Sequence, residues 1–257
     1  MIIELFGPPG AGKTTFAHAL TSRLRECGHV VELTLSYRPA ERPSSTGSCS
    51  SDPAQHRVAA VARRLSRPLL EMLAIASHPL ALSHDIGAAA SLMKILPPRN
   101  MAAAIRLSQY SLRLSHSWYH ASTTGHIVLF DQAFVQLICS LALLGPVVDG
   151  SLIARALEAS PKADLLIRVD APQEIRAARL RHRERMQGAI ERLFELDLMT
   201  NLDSVRIIDR LHELLRDRDQ LVLHCSSIDR PSLCESVDYI ESQLTVMFRA
   251  ERRAVAS

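Results

Sequence analysis

Near the amino end, Gly7-Pro8-Pro9-Gly10-Ala11-Gly12-Lys13-Thr14-Thr15 sets three glycines ahead of a lysine and two threonines. Glycines let a loop curl until successive backbone N–H groups point inward, which is the geometry a triphosphate requires. A helix opening at Lys13 would add the positive end of its dipole. Lys13 is then placed to reach the β- and γ-phosphates, and the Thr14 hydroxyl to ligate magnesium. The pattern predicts a nucleoside triphosphate site, with ATP and Mg2+ as its cofactors.

Such a loop calls for a second carboxylate at the end of a neighbouring strand. His126-Ile127-Val128-Leu129-Phe130-Asp131 supplies it in Asp131. Asp131 also suits the N-cap of a following helix, and the two roles are compatible. Gln132 and Gln136 stand four apart, so a helix would turn both amides to one side, toward an acceptor. The alternative has Gln132 capping that helix and Gln136 on its polar edge. Further on come Arg176, Arg179, Arg181, Arg183 and Arg185. At helical spacing Arg176, Arg179 and Arg183 share a face. The other reading is a solvated helix, because lysine occurs only at Lys13, Lys94 and Lys162 and arginine carries the remaining positive charge.

Other groups are less specific. His116, Trp118, Tyr119 and His120 suit a packed helix end, or a wall of an acceptor pocket. His78, His84 and Asp85 match no metal-ligand spacing. Asp170 with Gln173 reads as a helix cap with a capping-box partner.

The elements that must position these residues follow from periodicity and breakers. Ile2 to Phe6 is an apolar run stopped by glycine and proline, the mark of a buried parallel strand. Lys13 to Glu26 is predicted helical, with Phe16, Leu20 and Leu24 on one face and Gly28 beyond its end. Val30 to Leu35 is a second strand, completing a βαβ unit. Ser44 to Ser51 reads as a loop, and residues 54–122 as a helical block broken at Pro68, Pro79 and Pro97-Pro98. Further strands are expected over 126–130, 165–169 and 221–225. Helices are expected over 133–144, 172–186, 189–198, 203–217 and 231–248. The fold class is α/β: five parallel strands flanked by helices in one domain spanning 1–257. The helical block lies between strands two and three.

Composition agrees. The 257 residues are 47% hydrophobic and 22% charged, an ordinary globular balance. A net charge of +3 gives no sign of a nucleic-acid partner. Five cysteines without a CxxC pair suggest free thiols in a reducing compartment. The apolar run from Ala133 to Val148 is interrupted and too short to span a bilayer. The N-terminal residues run straight into the glycine loop, so no signal peptide is expected. A cytoplasmic protein without a membrane partner is expected, and a homodimer is left open.

The chain resembles P-loop small-molecule kinases of the thymidylate kinase and deoxynucleoside kinase group. The resemblance rests on the Gly7–Thr15 loop, the third strand ending at Asp131, Val169-Asp170-Ala171-Pro172, and the arginine-studded helix that follows. It covers most of the chain, with the P-loop its sharpest part. It implies a P-loop fold with strand order 2-3-1-4-5, and a lid over 172–200 whose arginines, foremost Arg179 and Arg183, close on the transferring phosphate. It implies an acceptor side formed by 54–122. Thymidylate kinases carry Thr-Arg-Glu-Pro after the second strand, where this chain has Ser36-Tyr37-Arg38-Pro39, so Arg38 becomes a candidate acceptor contact. The adenine is implied beside 226–230. The chain departs from the group after Asp131, where Gln132 replaces the usual arginine.

The expected activity is ATP- and magnesium-dependent phosphoryl transfer to a small acceptor, with nucleosides and nucleotides among the candidates. Lys13, Asp131, Arg179 and Arg183 would be catalytic, and Arg38, Gln132 and Gln136 would contact the acceptor. A nucleotide-binding regulatory module with little catalysis is the alternative, and a simple ATPase the third. Gln132 stands where many ATPases place a water-activating glutamate. The guanine-reading Asn-Lys-x-Asp and the transporter Leu-Ser-Gly-Gly-Gln signatures are absent.

Overall fold

Alternation along the first strand sets the architecture. In β1 (Ile2–Phe6) every residue is buried. Ile2 and Phe6 join one apolar cluster, while Ile3 and Leu5 join a second on the opposite face. A strand covered on both faces belongs in the middle of a sheet. With β2 (Val31–Thr34), β3 (Ile127–Phe130), β4 (Leu165–Asp170) and β5 (Val222–Ser226) it forms a five-stranded sheet in the order β2-β3-β1-β4-β5. Every pairing is parallel. The computed structural model describes residues 1–36, 79–145, 149–186 and 198–256.

The fold is the expected α/β P-loop arrangement. One face is covered by α1 (Lys13–Glu26) and α8 (Arg230–Ala256), through Phe16, Leu20 and Leu24 of the first and Val237, Ile240 and Leu244 of the second. α2 (Pro79–Ile95), α3 (Met101–Thr123), α4 (Phe134–Leu144), α5 (Gly150–Ala159) and α7 (Leu198–Arg216) contribute the core on the other face. α6 (Gln173–Met186) follows β4.

Two elements differ from the sequence reading. α5 was not anticipated. Asp149 caps it by accepting from Ser151 N at 2.9 Å, and Ile153, Ala156 and Leu157 bury its inner stripe. α7 starts at Leu198, earlier than the expected Asp203. α2 begins at Pro79, one of the expected break points, where a fixed φ and missing N–H are tolerated in a first turn. The block over 54–78, the serine-rich loop and nearly all of the second lid helix lie outside the described residues. Among the described residues, no helix is long and apolar enough to cross a membrane.

Candidate phosphate-binding site

The loop between β1 and α1 has the shape its composition demands. Gly7 adopts φ +147°, and a Cβ there would collide with the Val169 carbonyl oxygen of β4, so only glycine fits. Gly10 lies so close to α6 that a Cβ would stand 2.8 Å from the Arg176 carbonyl oxygen. The helix after the loop begins with Gly12 as its N-cap, and no side chain bonds there. The first-turn amides of α1 are therefore not taken up by a capping side chain. Lys13 is buried, and its Nζ donates to Gly7 O at 2.7 Å and Pro8 O at 3.1 Å. Its charge is thus held at the inner rim of the loop.

Asp131 lies just beyond the end of β3, next to β1 in the sheet. It is 2% exposed. Thr14 Oγ1 donates to its Oδ2 at 3.0 Å, and Ser36 N donates to its Oδ1 at 2.6 Å. The carboxylate therefore joins the P-loop helix to the end of β2. A hydroxyl and a carboxylate oxygen, converging beside the start of α1, are the hard-oxygen donors that magnesium takes alongside phosphate and water. That donor set fits the metal. Among the described residues, no group of three or more His, Cys, Asp or Glu could hold a metal ion by itself.

Across the loop, Arg179, Leu180 and Arg183 of α6 face Gly10, Gly12, Lys13, Thr14 and Thr15 over an open cleft of about 190 Å³. The two arginines are placed differently. Arg179 Nη1 donates to Gly10 O and Ala11 O, both at 3.2 Å, and Nη2 donates to Ser227 O at 2.6 Å and Ile228 O at 2.8 Å. Its guanidinium ties the outer wall of the P-loop to the segment between β5 and α8. Arg176 turns back to the Ala171 carbonyl at 2.9 Å, whereas Arg181 and Arg185 are exposed. The capping box expected of Asp170 does not form as expected. Asp170 accepts from Ala171 N at 2.8 Å and from Arg168 at 3.2 Å, and Arg168 also pairs with Asp209 at 2.5 Å.

On the acceptor side, Gln132 and Gln136 are half-buried. Gln132 Nε2, Gln136 Oε1 and Ser36 Oγ are buried atoms with no hydrogen-bond partner among the described residues. Tyr110 of α3 donates to the Gln132 carbonyl at 3.4 Å. Trp118 is buried, stacking on Phe130 and meeting Phe134 edge-on, so it packs the helix end. Tyr119 and His120 are exposed. Arg38, with His78, lies outside the described residues, as do the side chains of His84 and Asp85.

Sequence reasoning named one contributor only as part of the 226–230 segment implied beside the adenine, and missed a second. Ser227 is buried behind Gly12 and accepts from Arg179 through its carbonyl. Glu4, inside β1, is 1% exposed and accepts from Val135 N at 2.7 Å. Burial pushes its carboxyl up to about 8, against the backbone amides of Val135, Gln136, Phe134 and Ala133, which favour the charged form. The one available signal was a carboxylate inside an otherwise apolar strand.

No family model matches the chain, and no curated protein does. Among solved structures, the chain is similar to the deoxyadenosine kinase of M. mycoides with products dCMP and a flexible dCDP bound, at 13% identity over 96% of this chain and 100% of that one, with a TM-score of 0.48. The same enzyme with bound dATP aligns at 13% identity over 95% and 100% of the two chains, TM-score 0.48. Thymidylate kinase from Ehrlichia chaffeensis aligns at 15% identity over 95% and 98%, TM-score 0.46.

Proposed function

We propose that the protein is an ATP- and magnesium-dependent phosphotransferase acting on a small-molecule acceptor, with nucleosides and nucleotides the first classes to try. The observation that carries this reading is the pairing of Thr14 Oγ1 with Asp131 Oδ2 directly beside the P-loop. An ordinary surface loop has no reason to bury a carboxylate against the first helical turn after a glycine loop.

The residues divide the work as follows. Backbone amides of the loop and the first turn of α1 bind the phosphates, apart from that of Ala11, which donates to Pro8 O at 3.2 Å, and Lys13 offsets their charge at the β/γ end. Thr14 and Asp131 would hold magnesium, which when bound supplies positive charge to the phosphate oxygens. Arg183, facing Lys13 and Thr14 across the cleft, is the cation placed to meet charge developing on the transferring group. Arg179 holds the loop in place from outside. Gln132 and Gln136 offer one free donor and one free acceptor to the acceptor molecule. Arg38 is a further acceptor contact in this proposal.

The test is incubation with γ-labelled ATP, magnesium and a panel of nucleosides, nucleotides, sugars and antibiotics. Labelled product that disappears in a folded Lys13→Ala variant supports the reading. Transfer retained in that variant overturns it. Tight ATP binding with no product from any acceptor would leave a nucleotide-binding module in its place.

A further inference from the structure

We propose that Glu4 is a positioning residue of this site: its carboxyl, buried beneath the first turn of α4, replaces the N-cap that this helix lacks and thereby fixes Asp131 and Gln132 relative to the P-loop strand. The part that concerns magnesium rests on the reading of Asp131 given above.

α4 begins differently from its neighbours. Asn100 caps α3 by accepting from Ala103 N at 2.7 Å, and Asp149 caps α5 in the same way. The N-cap of α4 is Ala133, which has no side-chain oxygen to offer, and no side chain of its own segment bonds there. The acceptor instead comes from β1, where Glu4 Oε1 takes the Val135 N–H at 2.7 Å across 131 positions of sequence. The amides of Ala133, Phe134 and Gln136 also lie close enough to act on the same carboxyl.

A local serine or aspartate at position 133 would cap the helix at least as well. Burying a carboxyl in the centre of a sheet is costly by comparison. The remote cap does one thing a local cap does not, because it makes the start of α4 follow β1. Glu4 is in register with Phe130, the residue before Asp131. Three residues after Glu4 the same strand becomes the P-loop at Gly7. Asp131 and Gln132 are thus held on one side by strand pairing with β1 and on the other by the Glu4 cap. The relation between Thr14 and Asp131 becomes a property of one rigid strand. Sites that must hold a metal ion between two elements need this kind of support.

The experiment uses the full chain with Glu4→Ala and Glu4→Gln. ATP affinity is measured by calorimetry with magnesium and with EDTA, and amide exchange is followed over residues 131–137. The Ala variant is expected to bind ATP in EDTA within about twofold of wild type, because the P-loop amides are untouched. Its gain in affinity from magnesium should fall about tenfold, and the 131–137 amides should lose protection ahead of the rest of the chain. Gln keeps an oxygen for Val135 N and should recover most of both losses. A folded Ala variant with full magnesium gain and unchanged exchange at 131–137 overturns the proposal. So does an equal loss of affinity with and without magnesium, which would mark general damage. If the Ala variant does not fold, the Gln variant decides, since loss of 131–137 protection there would mean the oxygen is not what matters. If wild type itself shows no magnesium gain, the proposed function fails, and the exchange of 131–137 alone decides the role of Glu4.

Discussion

Thr14 Oγ1 and Asp131 Oδ2 lie 3.0 Å apart, joining residues separated by 117 positions. The bond places the first hydroxyl of α1 against the carboxylate that closes β3, while Ser36 N engages the other carboxylate oxygen. Three neighbouring strands thus meet at one side chain: β1 through its loop, β2 through Ser36 and β3 through Asp131 itself. A metal bound here would sit where all three end, at the carboxyl edge of the sheet, which is where open α/β sheets bind ligands.

Asp131→Asn should therefore separate nucleotide binding from metal use. The amide keeps the shape and can still accept from Ser36 N, but it removes the negative charge that magnesium requires. ATP affinity in EDTA should stay within a few-fold of wild type. Transfer in saturating ATP should fall about a hundredfold, and its magnesium dependence should move to higher concentration. Titrating magnesium against rate for both proteins checks this. An unchanged magnesium midpoint would remove Asp131 from the metal site.

Arg179 and Arg183 stand one turn apart yet should behave differently. Arg179→Ala deletes four bonds to the carbonyls of Gly10, Ala11, Ser227 and Ile228. The P-loop should loosen, with ATP affinity down about tenfold or more and stability lower by about 1–3 kcal/mol. Lysine should not restore it, because a point charge cannot serve both walls at once. Arg183→Ala should leave ATP affinity nearly intact and depress the transfer rate about a hundredfold. Steady-state kinetics, with KM and kcat read separately, distinguishes the two, and the reverse pattern would exchange their roles.

Gly7→Ala tests the loop through its backbone. The residue sits at positive φ, and an added methyl would enter the Val169 carbonyl oxygen of β4. Backbone atoms in the middle of a sheet have little room to give way. The variant should lose about 3 kcal/mol or more by urea unfolding, or fail to fold. A fully stable Gly7→Ala protein would mean the β1–β4 contact is looser than the structure has it.

How much of this was written in the sequence depends on the range of each interaction. The P-loop is local: strand, glycines, lysine and helix stand within 26 residues, so their spacing alone specifies the shape. Asp131 was legible for a similar reason, since an apolar run ending in a carboxylate marks a strand end whatever lies beside it. The strand order also matched, but it came from the resemblance to P-loop kinases; the βαβ unit by itself indicated only a parallel sheet. What was hidden is long-range. Arg179 was singled out with Arg183 as a lid arginine, but its partners were not, since those at Ser227 and Ile228 are backbone carbonyls that any sequence provides. Glu4 looked like a lone polar residue in a strand, and its partner is the amide of Val135. α5 was passed over although Ile153, Ala156 and Leu157 recur at helical spacing behind the Asp149 cap; it is short, at ten residues. Arg38 falls outside the described residues, so the sequence remains the sole argument for it.

Glu4 also gives the pH dependence a definite sign. Burial pushes its pKa up to about 8 from an ordinary 4.5, with the amides at the start of α4 acting in the opposite direction. A carboxyl whose folded value lies above its unfolded value holds its proton more tightly in the folded state. Its contribution to stability is complete below about pH 4.5 and declines as the pH rises, until it is lost at about pH 8. Within that window this one group should remove up to about 1.4 kcal/mol per pH unit. Glutamine at position 4 has no proton to lose. Glu4→Gln should therefore show a flatter stability profile between pH 5 and 8, and its advantage over wild type should grow as the pH rises. Urea unfolding of both proteins across that range measures the difference. Parallel profiles would show that Glu4 ionises as readily in the folded protein as in the unfolded chain, and the carboxyl would then stand at the α4 terminus as a charged cap rather than a neutral one.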